Sequence, residues 1–83
     1  MKIIITENAV KEFNKINNPF RDTIKNKIDI LSKQGLDYNG IKALTGEFKG
    51  YYRLRVGDYR IIFNIQDDTI GIVSIHHRKN VYE

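Results

Sequence analysis

Apolar and polar positions change period along the chain, and each change marks an element. Lys2-Ile-Ile-Ile-Thr6 is a compact β-branched run that predicts a short strand, with Thr6 suited to cap a helix starting just after it. From about Glu7 to Asn17 the period is helical. Ala9, Val10, Phe13 and Ile16 share one stripe while Lys11, Glu12 and Lys15 point elsewhere, the pattern of a helix laid on a sheet. Asn18-Pro19 restarts the chain, with asparagine as the expected N-cap and proline at the first helical position, where its missing N–H costs nothing. Phe20, Ile24, Ile28 and Leu31 then recur at helical spacing, and Gly35 is suited to end this second helix in the left-handed conformation. Residues 35–48 read as a connection, because Gly35, Asp37, Asn39, Gly40 and Gly46 interrupt any period; Leu36, Ile41 and Leu44 are expected to pin it to the core.

Beyond the connection the period becomes two. Tyr52, Leu54 and Val56 alternate with Arg53 and Arg55, and after Gly57-Asp58 the residues Tyr59, Ile61 and Phe63 alternate with Arg60. This is a β-hairpin with one apolar and one cationic face. A two-residue type II′ turn at Gly57-Asp58 pairs Val56 with Tyr59 and sets Arg55 opposite Arg60. Like charges directly across an antiparallel pair are destabilising, so the pairing suggests a site kept for an anion such as phosphate. The competing reading is an ordinary solvated face.

Asp67-Asp68 turns the chain into a last strand at about Ile70 to His77, which completes a three-strand meander. Its facing depends on the loop. A plain two-residue turn brings His77 to the face of Arg60. An odd loop, or a bulge for which Gly71 is a candidate, brings Ser74, His76 and Arg78 there instead, and this second arrangement is the preferred one because it gathers Arg53, Arg55, Arg60, His76 and Arg78. The element order β-α-α-β-β-β implies an α+β domain, a two-helix hairpin packed on one face of a small, mainly antiparallel sheet whose opposite face stays open.

Composition narrows the picture. The 83 residues, 41% hydrophobic and 29% charged, suit a single domain over 1–83 with one small core. Net charge is +4, from 14 Lys and Arg against 10 Asp and Glu, and it favours an acidic partner. It is concentrated: Lys49, Arg53 and Arg55 fall within seven residues without an acid. With no cysteine there is neither a disulfide framework nor a thiolate metal site, and no metal or small-molecule cofactor is expected. Ile3-Ile4-Ile5 is too short for a signal peptide or a membrane span, so a cytoplasmic protein without a membrane partner is expected.

Leu44-Thr-Gly46, Tyr52-Arg-Leu-Arg-Val-Gly-Asp-Tyr-Arg60 and His76-His-Arg-Lys-Asn-Val-Tyr82 together resemble the RelE/ParE toxin superfamily, and the resemblance covers the whole chain. In the RelE branch it implies a ribosome-dependent endoribonuclease that cuts messenger RNA in the decoding site and is neutralised by a cognate antitoxin. In the ParE branch it implies an inhibitor of DNA gyrase that needs no nuclease activity. Carried over on matching positions, Arg60 corresponds to the phosphate-stabilising arginine, Arg78 to a second active-site arginine, and Tyr82 to the aromatic that orients or stacks on RNA. Arg53 and Arg55 stand where the best-studied ribonuclease members have lysines. Arginine does not give up its proton, so Arg55 is a poor general base. The sequence ends one residue after Tyr82, which is expected to order only when RNA or the ribosome is bound.

The residue types fit metal-free RNA cleavage. Charge building on the attacked phosphate suits Arg60 with Arg55 or Arg53, and Lys49 adds to the phosphate-binding set. His76 is the neighbour whose ordinary titration range allows acid or base work near neutrality, and Arg78 suits the leaving oxygen. Of two adjacent histidines on a strand, one faces away, so either His76 or His77 packs toward the core edge.

Overall fold

The computed structural model describes residues 1–78. Its elements are β1 (Lys2–Ile5), α1 (Glu7–Asn14), α2 (Phe20–Gln34), β2 (Ile41–Ala43), β3 (Tyr52–Val56), β4 (Tyr59–Gln66) and β5 (Thr69–His77), with short 3-10 turns at Gly35–Asp37 and Gly46–Phe48. The five strands form one sheet in the order β1-β5-β4-β3-β2, with β1 parallel to β5 and every other pair antiparallel. The expected α+β architecture is therefore present, with one strand more than the periodicity showed. β2 lies inside the connection, pairing Ile41 with Leu54, and at three residues it is too short to display alternation.

Thr6 caps α1 as expected, its hydroxyl accepting from the Ala9 N–H at 3.2 Å. The helix stops at Asn14, short of Asn17, yet Ile16 is still buried. α2 begins at Phe20 with Pro19 rather than Asn18 as its cap, and Gly35 ends it at φ +59° with its N–H bonded to the Leu31 carbonyl. Ile24, Ile28 and Leu31 are buried against the sheet. Phe20 and Leu36 depart from expectation, being 58% and 48% exposed. Phe20 starts α2 beyond the sheet, beside the β3–β4 turn, where its ring lies 6.0 Å from that of Tyr59.

Leu54, Ile61, Phe63, Ile72 and Ile75 face the helices and are almost wholly buried. Full burial of such a side chain contributes about 1.5–3 kcal/mol, so the core holds the sheet without the arginine face. No described helix is long and apolar enough to cross a membrane.

Two irregularities set the facing of β5. Asp67 and Asp68 form a two-residue turn with both residues at positive φ (51° and 59°), and Gln66 pairs with Thr69. The loop is thus even. Between Phe63, opposite Ile72, and Ile62, opposite Ser74, the register slips by one, and Val73 is the extra residue of a β-bulge. The bulge is not at Gly71. That glycine pairs with Asn64, whose Oδ1 would lie 2.5 Å from any Cβ added there.

The bulge sits where β5 loses its neighbour. β1 ends at Ile5 while β5 runs on, and α1 supplies the missing hydrogen bonds: Thr6 N–H donates to the Ile72 carbonyl (3.0 Å), and Thr6 Oγ1 and Asn8 Nδ2 donate to that of Val73 (3.4 and 3.3 Å). Glu12 Oε1 accepts from the Ile75 N–H at 3.0 Å. A bare strand edge is thereby closed by a helix N-terminus and its side chains.

Candidate functional site

Gly57 carries the positive φ (+58°) that a type II′ turn needs at its first central position, and Val56 stands opposite Tyr59. Arg55 is opposite Arg60, as the sequence predicts. Residues flanking a two-residue turn exchange hydrogen bonds, so this next pair is of the closer, non-hydrogen-bonded kind, with Cα atoms about 4.5 Å apart. Arg60 in turn stands opposite His76. A row Arg55–Arg60–His76 therefore crosses β3, β4 and β5. Two residues along, a second row crosses four strands, Lys42–Arg53–Ile62–Ser74. Cross-strand partners share a face, and alternation puts both rows on the side away from the helices.

This face is not open throughout. Ile62, Ser74 and His76 are 2%, 4% and 3% exposed, whereas Arg55 is exposed and Arg53 and Arg60 are half-buried. Glu47, Phe48 and Tyr51 fold over the Ile62–Ser74 end and leave a cleft of about 310 Å³ there. The expectation of a bare face fails because the connection packs across it. Arg55 and Arg60 remain toward the hairpin end, and Lys42 and Arg53 toward the β2 edge.

His76 is held through its Nδ1 side. Its Nδ1 lies 3.0 Å from Ser74 Oγ, and Ser74 Oγ lies 3.0 Å from Glu12 Oε1, which also accepts from Asn8 Nδ2 at 3.1 Å. His77 faces the other way, its ring edge-on to Tyr59 at 5.4 Å. Arg78 follows β5 to the hairpin tip. Its N–H donates to the Asp58 carbonyl at 2.7 Å, and its guanidinium is 3.6 Å from the Asp58 carboxylate, both side chains being 58% exposed. Lys49 is exposed in the loop after the 3-10 turn and belongs to neither row. Tyr82 lies outside the described residues.

Residues 3–82 match the family "ParE toxin of type II toxin-antitoxin system, parDE". A curated relative, Toxin RelE3 of Methanocaldococcus jannaschii, is 33% identical over 86 residues, covering 100% of this chain and 97% of its own. The chain belongs to the RelE/ParE toxin superfamily. Solved structures agree with this toxin in fold. The RelBE2 toxin–antitoxin complex from Mycobacterium tuberculosis gives a TM-score of 0.82 at 25% identity, over 93% of this chain and 96% of that one. The RelB–RelE antitoxin–toxin complex from Methanococcus jannaschii gives 0.80 at 31% identity, over 95% and 94%.

Three site features of the toxin escaped sequence reasoning. Glu12 looked like a solvent-facing helix residue; only the length mismatch between β1 and β5 turns it toward Ser74. Ser74 appeared only as a member of the face. Asp58 appeared only as a turn residue, although it holds Arg78 at backbone and side chain. Chemically, the face combines adjacent guanidinium groups able to bind phosphate oxygens with an imidazole one strand away.

Proposed function

We propose that this toxin is a ribosome-dependent endoribonuclease that cleaves messenger RNA without a metal and so inhibits translation. The observation that carries the reading is the cross-strand row Arg55–Arg60–His76, two guanidinium groups and an imidazole side by side, which supports phosphate binding beside proton transfer. In the reaction the ribose 2′-oxygen loses its proton and attacks the adjacent phosphorus. The P–O5′ bond breaks, and a proton goes to the departing oxygen. The products are a 2′,3′-cyclic phosphate and a 5′-hydroxyl.

Arg60, with Arg55 or Arg53, binds the nonbridging oxygens more strongly as their charge grows, which is differential stabilisation of the transition state. His76 moves a proton. Arg78, released from its exposed contact with Asp58, stabilises the leaving oxygen, and Lys49 guides the RNA backbone. Tyr82 stacks on a base. Arginines in the lysine positions leave little acid–base power, so positioning must contribute more, and a ribosome gripping messenger RNA supplies it. The toxin acts in the cytoplasm, where translating ribosomes are. Relatives solved as toxin–antitoxin complexes support a cognate antitoxin as its protein partner.

The match to the ParE family favours one other reading, a gyrase inhibitor whose arginines only dock. Purified toxin is assayed on naked messenger RNA, on the same messenger in a translation extract, and in gyrase supercoiling. The ribonuclease reading expects new 5′ ends in the extract alone. Rapid cutting of naked RNA contradicts ribosome dependence, and lost supercoiling with intact messenger RNA supports the gyrase reading instead.

A further inference from the structure

We propose that Glu12 and Ser74 are positioning residues that hold His76 in a single tautomer, protonated at Nδ1, and so set which ring nitrogen handles the proton in RNA cleavage. This rests on the ribonuclease reading of His76.

The assignment follows from counting hydrogens. Ser74 Oγ makes two contacts of 3.0 Å, to Glu12 Oε1 and to His76 Nδ1, and it has one proton to donate. A carboxylate oxygen only accepts. If the hydroxyl turned its proton to the imidazole, two oxygens would face one another at 3.0 Å with no hydrogen between them. The proton therefore goes to Glu12, and Ser74 Oγ is left to accept from Nδ1–H. In the neutral ring the lone pair then sits on Nε2. Nε2 is itself buried, so either proton role for His76, base toward the 2′-hydroxyl or acid toward the leaving oxygen, passes through that nitrogen only once RNA binding uncovers it.

The relay is built into the scaffold. Glu12 is fixed by the Ile75 N–H and the Asn8 amide as well as by Ser74, and Ser74 and His76 are 4% and 3% exposed. A hydroxyl locked between a carboxylate and a buried imidazole has little freedom to rotate. The chain Glu12–Ser74–His76 thus joins α1 to β5 through one hydroxyl. Arg60 on the neighbouring strand β4 and Arg55 beyond it on β3 share the face of His76. Glu47, on the loop over the same face, lines the cleft beside Ser74, and the Arg78–Asp58 pair closes the far end of β5.

Nitrogen-15 spectra of the histidine ring in the full-length toxin test the tautomer independently of activity. The wild-type neutral ring is expected to be protonated at Nδ1, with that preference lost in Ser74→Ala and restored in Ser74→Thr, which keeps the hydroxyl on a β-branched side chain. Cutting on messenger-loaded ribosomes should fall about 10-fold or more in Ser74→Ala, part of the ~100-fold or greater contribution of acid–base catalysis, and recover in Ser74→Thr. Glu12→Gln retains an acceptor for Ser74 and Ile75 but removes the charge. The Nδ1 preference should persist in it, because the hydroxyl still has an acceptor for its proton. A wild-type ring protonated at Nε2, or a Ser74→Ala protein with unchanged spectrum and rate, overturns the relay. An Nδ1-protonated ring in a toxin that cuts no messenger overturns the ribonuclease reading while the tautomer assignment stands.

Discussion

Arg60 on β4 stands opposite His76 on β5 only because Val73 is looped out of the pairing. Continuing the register of the Asp67–Asp68 turn would bring Ile75 opposite Arg60 and turn His77 toward the arginines. One extra residue thus decides which histidine joins the cationic face. α1 holds that residue in place, with Thr6 and Asn8 donating to the Val73 carbonyl.

Thr6 therefore serves two structures at once, the cap of α1 and the bulge. Thr6→Ala should cost about 1–2 kcal/mol, toward the upper end for a lost N-cap, and chemical denaturation measures it. Thr6→Ser keeps the oxygen and should recover most of the loss. Equal destabilisation by both variants would show that the methyl group, not the hydroxyl, matters there.

The core and the cationic face should separate cleanly in a stability series. Phe63 is fully buried and stacks at 5.6 Å on Tyr52, so Phe63→Ala is expected to lower stability by about 3–5 kcal/mol. Arg55 is exposed, and Arg55→Ala should change the unfolding free energy by no more than about 0.5 kcal/mol while weakening binding to messenger-loaded ribosomes. A large stability loss in Arg55→Ala would mean that the arginine row is structural.

Asp58 restrains Arg78 through an exposed ion pair, which is worth about 0–1 kcal/mol. Asp58→Asn should leave folding nearly unchanged and should speed cutting if release of Arg78 precedes its use. Raised salt should mimic part of that gain while weakening the phosphate contacts. Slower cutting by Asp58→Asn would instead make the Arg78–Asp58 pair the working arrangement.

Gly57 occupies left-handed backbone at φ +58°, where an L side chain is strained by about 1–2 kcal/mol. Gly57→Ala should lower the unfolding free energy by that amount and splay the β3–β4 tip that aligns Arg55 with Arg60. Undiminished cutting by this variant would show that the site tolerates a misaligned pair.

Much of this was legible in the residues because it is local. Alternation through Tyr52–Val56 and Tyr59–Phe63, with a glycine at the turn, suffices to pair Arg55 with Arg60, and Gly35 marks the end of α2. The facing of His76 could be narrowed to an odd or bulged connection but not located. The bulge arises from the edge of β5 meeting α1, a contact between residues more than sixty positions apart in the chain. Glu12 was hidden for the same reason, since a helical wheel says which side faces the sheet and not which strand outlasts its neighbour. β2 and the folding of Phe48 and Tyr51 over Ser74 depend on how the connection packs, which no period records.

On the proposed mechanism Arg60, backed by Arg55 and flanked by His76, stabilises the charge of an RNA phosphate during cleavage. Single-turnover cutting of messenger RNA on programmed ribosomes, wild type against Arg60→Ala with matched thermal unfolding, tests it most directly. The predicted result is a loss of about 100-fold or more in the cleavage rate with the fold intact, the scale of a lost oxyanion partner. A folded Arg60→Ala toxin that cuts at the wild-type rate would contradict it.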